Sequence, residues 1–308
     1  MSTAGTGPDA GGFDAGEVIL HHVSNSSHEH PIFHLPTLFG IDFSVTKHVL
    51  MLWITAVLVF TLVTWTVRKY LRQDRPVPHG FMNALEAVVQ FIKDTVVQPN
   101  IGAKYTPFWA PLILTFFFFI LTANAIGMIP FFDVLGLINR FIFQIGQEES
   151  HNFINVMLHG GTTATGNYNV TAALAIITFT SIVIAGTKAH GFITHWKNIV
   201  PHGLAWPVYI ILIPIEIIGL LVKPFALTMR LAANMTGGHI ALLAILSFVF
   251  IFSGLFHSVL AGVGVGVLVS VPLSVGISAL EIIVILVQAY VFTMLSAVFI
   301  GMAINVHH

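Results

Sequence analysis

The chain has 308 residues, of which 56% are hydrophobic and 8% charged, with a mean hydropathy of +0.89. A soluble domain carries roughly a quarter of its residues as Asp, Glu, Lys or Arg, so the sequence reads as an all-α integral membrane protein set in lipid. Twelve basic residues against thirteen acidic ones leave no basic surface for nucleic acid, and the absence of Cys removes disulfides, thiolate metal sites and Cys nucleophiles.

Residues 1–47 open with Gly, Ser, Thr, Asp and His and lack a basic segment followed by an apolar one. That pattern argues for an extramembrane tail and against a cleaved signal. Its histidines (His21, His22, His28, His30 and His34) fit either a polar tail or a metal-binding segment, but their spacing matches no defined site. No motif calls for a metal or a cofactor.

Residues 48–308 form one membrane domain, with spans expected near 48–67, 108–130, 170–187, 207–253 and 258–303. The first span closes on Arg68, Lys69, Arg72 and Arg75; with Lys93 and Lys104, half of the twelve basic residues lie between the first two spans. The positive-inside bias then places 68–107 and the C-terminus in the cytoplasm and the N-terminus outside. With no transit peptide visible, a prokaryotic plasma membrane is the expected location. In FMNALEAVVQFIKDTVV, Phe81, Leu85, Val88 or Val89, and Ile92 share one helical face. This is an amphipathic surface helix, lying either on the membrane or on a partner.

As one helix, 207–253 would be about 70 Å long against a hydrocarbon core of about 30 Å. It must tilt strongly, bend at Pro214 or Pro224, or turn back, and 258–303 poses the same question around Pro272. Two long, strongly tilted helices or four shorter ones satisfy the pattern. Gly262, Gly264 and Gly266 mark either a close helix approach or a bend.

Beyond Trp206 the only Asp, Glu, Lys or Arg are Glu216, Lys223, Arg230 and Glu281. An ionised side chain at the centre of a bilayer helix costs at least about 2.5 kcal/mol, so each needs water or a partner. Glu216, Lys223 and Arg230 are spaced by seven, which keeps them on one stripe but about 10 Å apart along the axis, too far to pair. Arg230 has no acid three or four residues away, so its countercharge must come from another segment or another chain. Asn234 continues that stripe toward His239, while Glu281 and Gln288 form a second stripe on the last helix. If the two helices run antiparallel with Gln288 near Arg230, His239 and Glu281 fall at one depth on one side of the arginine and Glu216 on the other.

The stretches PIEIIGLLVKPFALTMRLAANMTGGHI and LEIIVILVQAYVFTML closely resemble the two long helices of subunit a in F-type ATP synthases. PFWAPLILTFFFFILTANAIGMIPF and TGNYNVTAALAI extend the likeness in order from about Thr46 to Asn305, while the tail and residues 131–160 match poorly. The resemblance implies a proton-conducting stator subunit that offers two half-channels to a rotating c-ring, with b-type peripheral stalk subunits and the remaining synthase subunits as partners. It implies Arg230 as the essential charge facing the ring carboxylate, Asn234 and Gln288 as polar neighbours, and Glu216 as the acid of the cytoplasmic half-channel. His239 and Glu281 resemble the pair of the opposite half-channel, in the order of mitochondrial members and exchanged in some bacterial ones. Asn167 stands where many members have Asp.

A secondary proton or cation transporter is the alternative, since buried charges mark its path too, but such carriers repeat their polar features in both halves. A membrane enzyme finds no support: there is no His-Glu-x-x-His, no Gly-x-Ser-x-Gly and no phosphate-binding Gly-Lys-Ser/Thr loop. Nucleotide chemistry would belong to partner chains.

Overall fold

The structure, a computed structural model, describes residue 16 and residues 44–72, 80–128, 163–197 and 206–305. The histidine-rich tail and Arg75 lie outside the described residues. Among the described residues there is no strand, and five helices are long and apolar enough to cross a membrane. They are carried by α1 (Lys47–Leu71), α4 (Thr106–Met128), α5 (Tyr168–His190), α7 (Trp206–Leu255) and the continuous pair α8 (Val259–Val265) and α9 (Val271–Ile304). Short helices α2 (Phe81–Ile92), α3 (Gln98–Ile101) and α6 (Phe192–Lys197) complete the set.

The two long C-terminal elements are single tilted rods, not hairpins. Helix α7 runs unbroken for 50 residues through Pro214 and Pro224. At 1.5 Å per residue that is about 75 Å, so it lies steeply oblique to a 30 Å core. Between α8 and α9 the backbone makes a π turn at Gly266–Ser270, two residues before Pro272. A second π turn, Lys93–Val97, joins α2 to α3 two residues before Pro99. In both, the carbonyl four residues before the proline lies within the widened turn, which makes room for the ring where a regular helix would clash. The glycines of 262–266 divide by role. A Cβ on Gly262 would meet the Val249 carbonyl at 2.7 Å, so α8 folds back tightly on α7 there, whereas Gly264 has open space.

The packed core lies among α4, α5, α9, the middle of α7 and the segment ending in α3. Phe116 of α4 meets Phe292 of α9 edge to face at 5.6 Å, and Gly301 approaches Asn100, so α4 and α9 are antiparallel. Thr178 meets Ser296 at 3.2 Å and His190 meets the Ile304 carbonyl at 2.8 Å, so α5 runs parallel to α9. One end of the bundle therefore gathers the start of α4 and the ends of α5 and α9. The basic residues Lys104 and Lys188 belong to that end.

The amphipathic helix is covered in part within this chain. Leu85 and Ile92 of α2 are buried, as are Val96, Val97 and Ile101 after it, while Phe81 stays 56% exposed at the helix start. In contrast, only 6% of the most apolar stretch of α7 is buried, against 50% for α5. Most of α7 thus faces lipid or other chains.

Candidate functional site

Helices α7 and α9 hold the site because they run antiparallel in register. As residue numbers rise along α7, their contacts fall along α9: Lys223 lies over the Phe299 ring at 5.4 Å, Asn234 meets Gln288, and His239 meets Glu281. The structure brings together four of the six residues singled out from the sequence, in two pairs, and leaves Arg230 and Glu216 apart from them.

The first pair is a hydrogen bond. Asn234 Nδ2 donates to Gln288 Oε1 at 2.9 Å. Gln288 is 4% exposed and its Nε2 has no partner among the described residues, whereas Asn234 is on the open side of α7. A buried amide held by one bond and offering a free donor is primed to bind a further polar group or water.

The second pair joins an acid and an imidazole. His239 Nδ1 lies 3.9 Å from Glu281 Oε1, an ion-pair distance too long for a hydrogen bond. Glu281 is 6% exposed and this Oε1 has no hydrogen-bond partner among the described residues, while His239 keeps 25% exposure. On its far side His239 Nε2 meets Thr163 Oγ1 at 2.8 Å. The imidazole thus stands between a hydroxyl and a carboxylate, which is what a proton relay requires. Gly238 makes the approach possible, since a Cβ there would sit 3.0 Å from Glu281 Oε1.

Sequence reasoning missed the polar shell beside this pair. Thr163 precedes a 3-10 turn at Ala164–Gly166, and Thr165 donates to Asn124 Oδ1. Asn124 is fully buried in α4, and its Nδ2 has no partner among the described residues. Thr236 on α7 donates to the Gly166 carbonyl at 3.3 Å. An Asn inside an apolar span and the Thr-rich run 162–165 were the available signals. Asn167 plays a structural part, capping α5 with its Oδ1, which accepts from the Asn169 amide at 2.8 Å.

Arg230 projects from the open face of α7. Among the described residues no carboxylate lies within ion-pair reach of it, and its neighbours on that face, Ala226, Ala233 and Gly237, are small and exposed. Small residues let another helix approach the backbone closely. Glu216 is half-buried, fourteen residues from Arg230 toward the basic end of the bundle, about 21 Å along the axis. His239 is nine residues away in the other direction, about 13 Å. A fixed cation therefore stands between two acidic stations that do not meet.

Residues 49–301 match the family described as ATP synthase A chain. The chain is similar to ATP synthase subunit a 2 of Chlorobium luteolum, 42% identical over 300 residues that cover 94% of this chain and 76% of that protein. It is also similar to ATP synthase subunit a 2 of Prosthecochloris aestuarii, at 39% over 96% of this chain and 81% of the relative. ATP synthase subunit a of Chloroherpeton thalassium is 38% identical, over 92% and 76%.

Proposed function

The chain belongs to the ATP synthase A chain family, and from that premise we propose how its residues divide the path of a proton. As a multi-pass membrane subunit of F-type ATP synthase it serves the proton channel of the complex and sits among the other synthase subunits. The carrier alternative is set aside on the same ground. The partners of the open α7 face are the c-ring subunits; b-type stalk subunits hold the chain as stator. The complex lies in a bacterial plasma membrane, with the N-terminus of this chain outside and its C-terminus in the cytoplasm.

The observation that carries the reading is Arg230, an exposed cation with no carboxylate in ion-pair reach among the described residues, set between Glu216 and the His239–Glu281 pair. A ring carboxylic acid that comes to this face gives its proton to one half-channel. The bare carboxylate is then neutralised by the guanidinium, which spares it the cost of a lone charge in lipid. It takes up a proton from the other half-channel and returns to lipid neutral. Arg230 keeps its own proton throughout, so it does not relay and it closes the direct route between the two sides. His239, Glu281 and the Thr163 hydroxyl hold the proton on the outer side; Glu216 does so on the cytoplasmic side. Asn234 and Gln288 position water and the guanidinium between them. Lys223, stacked over Phe299, snorkels toward the cytoplasmic end and relays nothing.

The native chain has no Cys, so thiol label found on this chain reports the introduced residue alone. In sealed vesicles carrying the complex, His239→Cys reacts with a membrane-impermeant thiol reagent from the outer side only and Glu216→Cys from the cytoplasmic side only. Labelling of both from the same side would overturn the division into two half-channels.

A further inference from the structure

We propose that the cleft between α1, α2 and α4 binds one phospholipid with a primary-amine headgroup, its acyl chain in the cleft and its ammonium on Glu86. The cleft encloses about 600 Å³, within the range of small-molecule sites, and its walls are almost wholly apolar, with Phe60, Val63, Leu114 and Phe118 among them. It follows α1 from Ala56 to Tyr70. Fourteen residues of helix are about 21 Å, more than the roughly 15 Å depth of one leaflet's hydrocarbon, so a full acyl chain fits lengthwise.

The ends of the cleft differ in chemistry. Tyr70 and Glu86 lie where α1 ends, and Glu86 Oε2 is buried with no hydrogen-bond partner among the described residues. A buried carboxylate oxygen left without a donor is unfavourable, and a lipid ammonium supplies the missing donor and the missing charge together. Around the same end, Arg68, Lys69 and Arg72 lie on the last turn of α1 and just beyond it, with Lys69 exposed. Lys69 lies over the Trp65 ring at 5.2 Å, an aromatic and cation pairing that suits the headgroup level of a bilayer. One acceptor inside and cations outside are complementary to an ammonium joined to a phosphate. A quaternary choline has no N–H to give to Glu86.

The test uses the assembled complex and is independent of the half-channel reading, since no residue of the cleft belongs to that path. The complex is equilibrated in vesicles of equal phosphatidylethanolamine and phosphatidylcholine with matched acyl chains, purified in mild detergent, and its retained lipid measured by mass spectrometry. Wild type retains phosphatidylethanolamine at least about fivefold over phosphatidylcholine, and Glu86→Gln loses that preference. In parallel, a photoreactive side chain at Val63 forms a lipid adduct in the otherwise native complex. Equal retention of the two lipids by wild type, an unchanged preference in Glu86→Gln, or a polypeptide adduct at Val63 would each overturn the proposal.

Discussion

Replacing either member of the Asn234–Gln288 pair by leucine removes the same 2.9 Å hydrogen bond, yet the two changes should differ in cost. Gln288 is 4% exposed and its Nε2 is already unpartnered, whereas Asn234 is exposed on the open side of α7. Asn234→Leu leaves Gln288 buried with Oε1 orphaned as well as Nε2. A buried acceptor that loses its partner costs about 1–3 kcal/mol. Gln288→Leu instead removes an unsatisfied buried donor together with the acceptor and leaves Asn234 where a hydrated path can solvate it. Its cost should be near zero, since an apolar replacement of a poorly satisfied buried group is close to neutral. The expected difference is about 1–3 kcal/mol, with Asn234→Leu the less stable. The assay is denaturant or thermal unfolding of the chain within the purified complex, with the double variant included to isolate the coupling. Equal destabilisation, or a larger loss for Gln288→Leu, would mean that Asn234 faces lipid and not water, and would refute the hydrated path beside Arg230.

Further outcomes concern the acid and imidazole pair, the end of α9 and the seat of α6. Glu281→Gln should lower ATP-driven proton transport by about a hundredfold, the low end of what a positioned proton-transfer group contributes, with no rise in passive leak, as vesicle fluorescence quenching would record. The double exchange His239→Glu with Glu281→His should restore part of it, because the pair and its 3.9 Å separation are retained. Gly301→Ala places a Cβ 2.2 Å from the Asn100 carbonyl oxygen, so the end of α9 must shift. Overpacking of this kind costs about 1–3 kcal/mol and should lower the unfolding midpoint of the complex. Burial, and then the neighbouring His190, hold the His195 imidazole below the usual histidine range. The unfolded form thus takes up protons more readily, so stability from the docked neutral ring is complete above about pH 6.5 and is lost as pH falls through the folded value. Tryptic cleavage at Lys197 of α6 should accelerate on acidification. In Gly186→Ala, whose Cβ would overlap the His195 ring, it should be fast at every pH.

Much of this arrangement is legible in the sequence because charge in an apolar chain is so costly. Glu216, Arg230 and Glu281 stand out among residues 206–308, and their spacing alone places two of them on one stripe of one helix. The antiparallel meeting of Gln288 and Glu281 with Asn234 and His239 follows from setting two polar stripes against each other. The choice between two long rods and four short helices was not legible. A proline in a long apolar run signals a break, but α7 absorbs Pro214 and Pro224 within one helix, and the chain forms π turns only before Pro99 and Pro272 among the described residues. Thr163 and Asn124 were hidden for a different reason. Their importance lies in contacts across 76 and 41 residues of chain, and neither carries a charge that composition would flag. The amphipathic stripe of α2 was visible, but the burial of Leu85 and Ile92 within the chain is a property of packing that no periodicity encodes.

The proposed proton path stands on Arg230, which is proposed both to neutralise the ring carboxylate and to separate the half-channels. It is tested most directly by ATP-driven proton pumping and passive proton leak in vesicles carrying the assembled complex, with Arg230→Ala beside wild type. Arg230→Ala should assemble, fail to pump and leak more than wild type; coupled pumping at the wild-type rate would show that Arg230 is neither countercharge nor barrier.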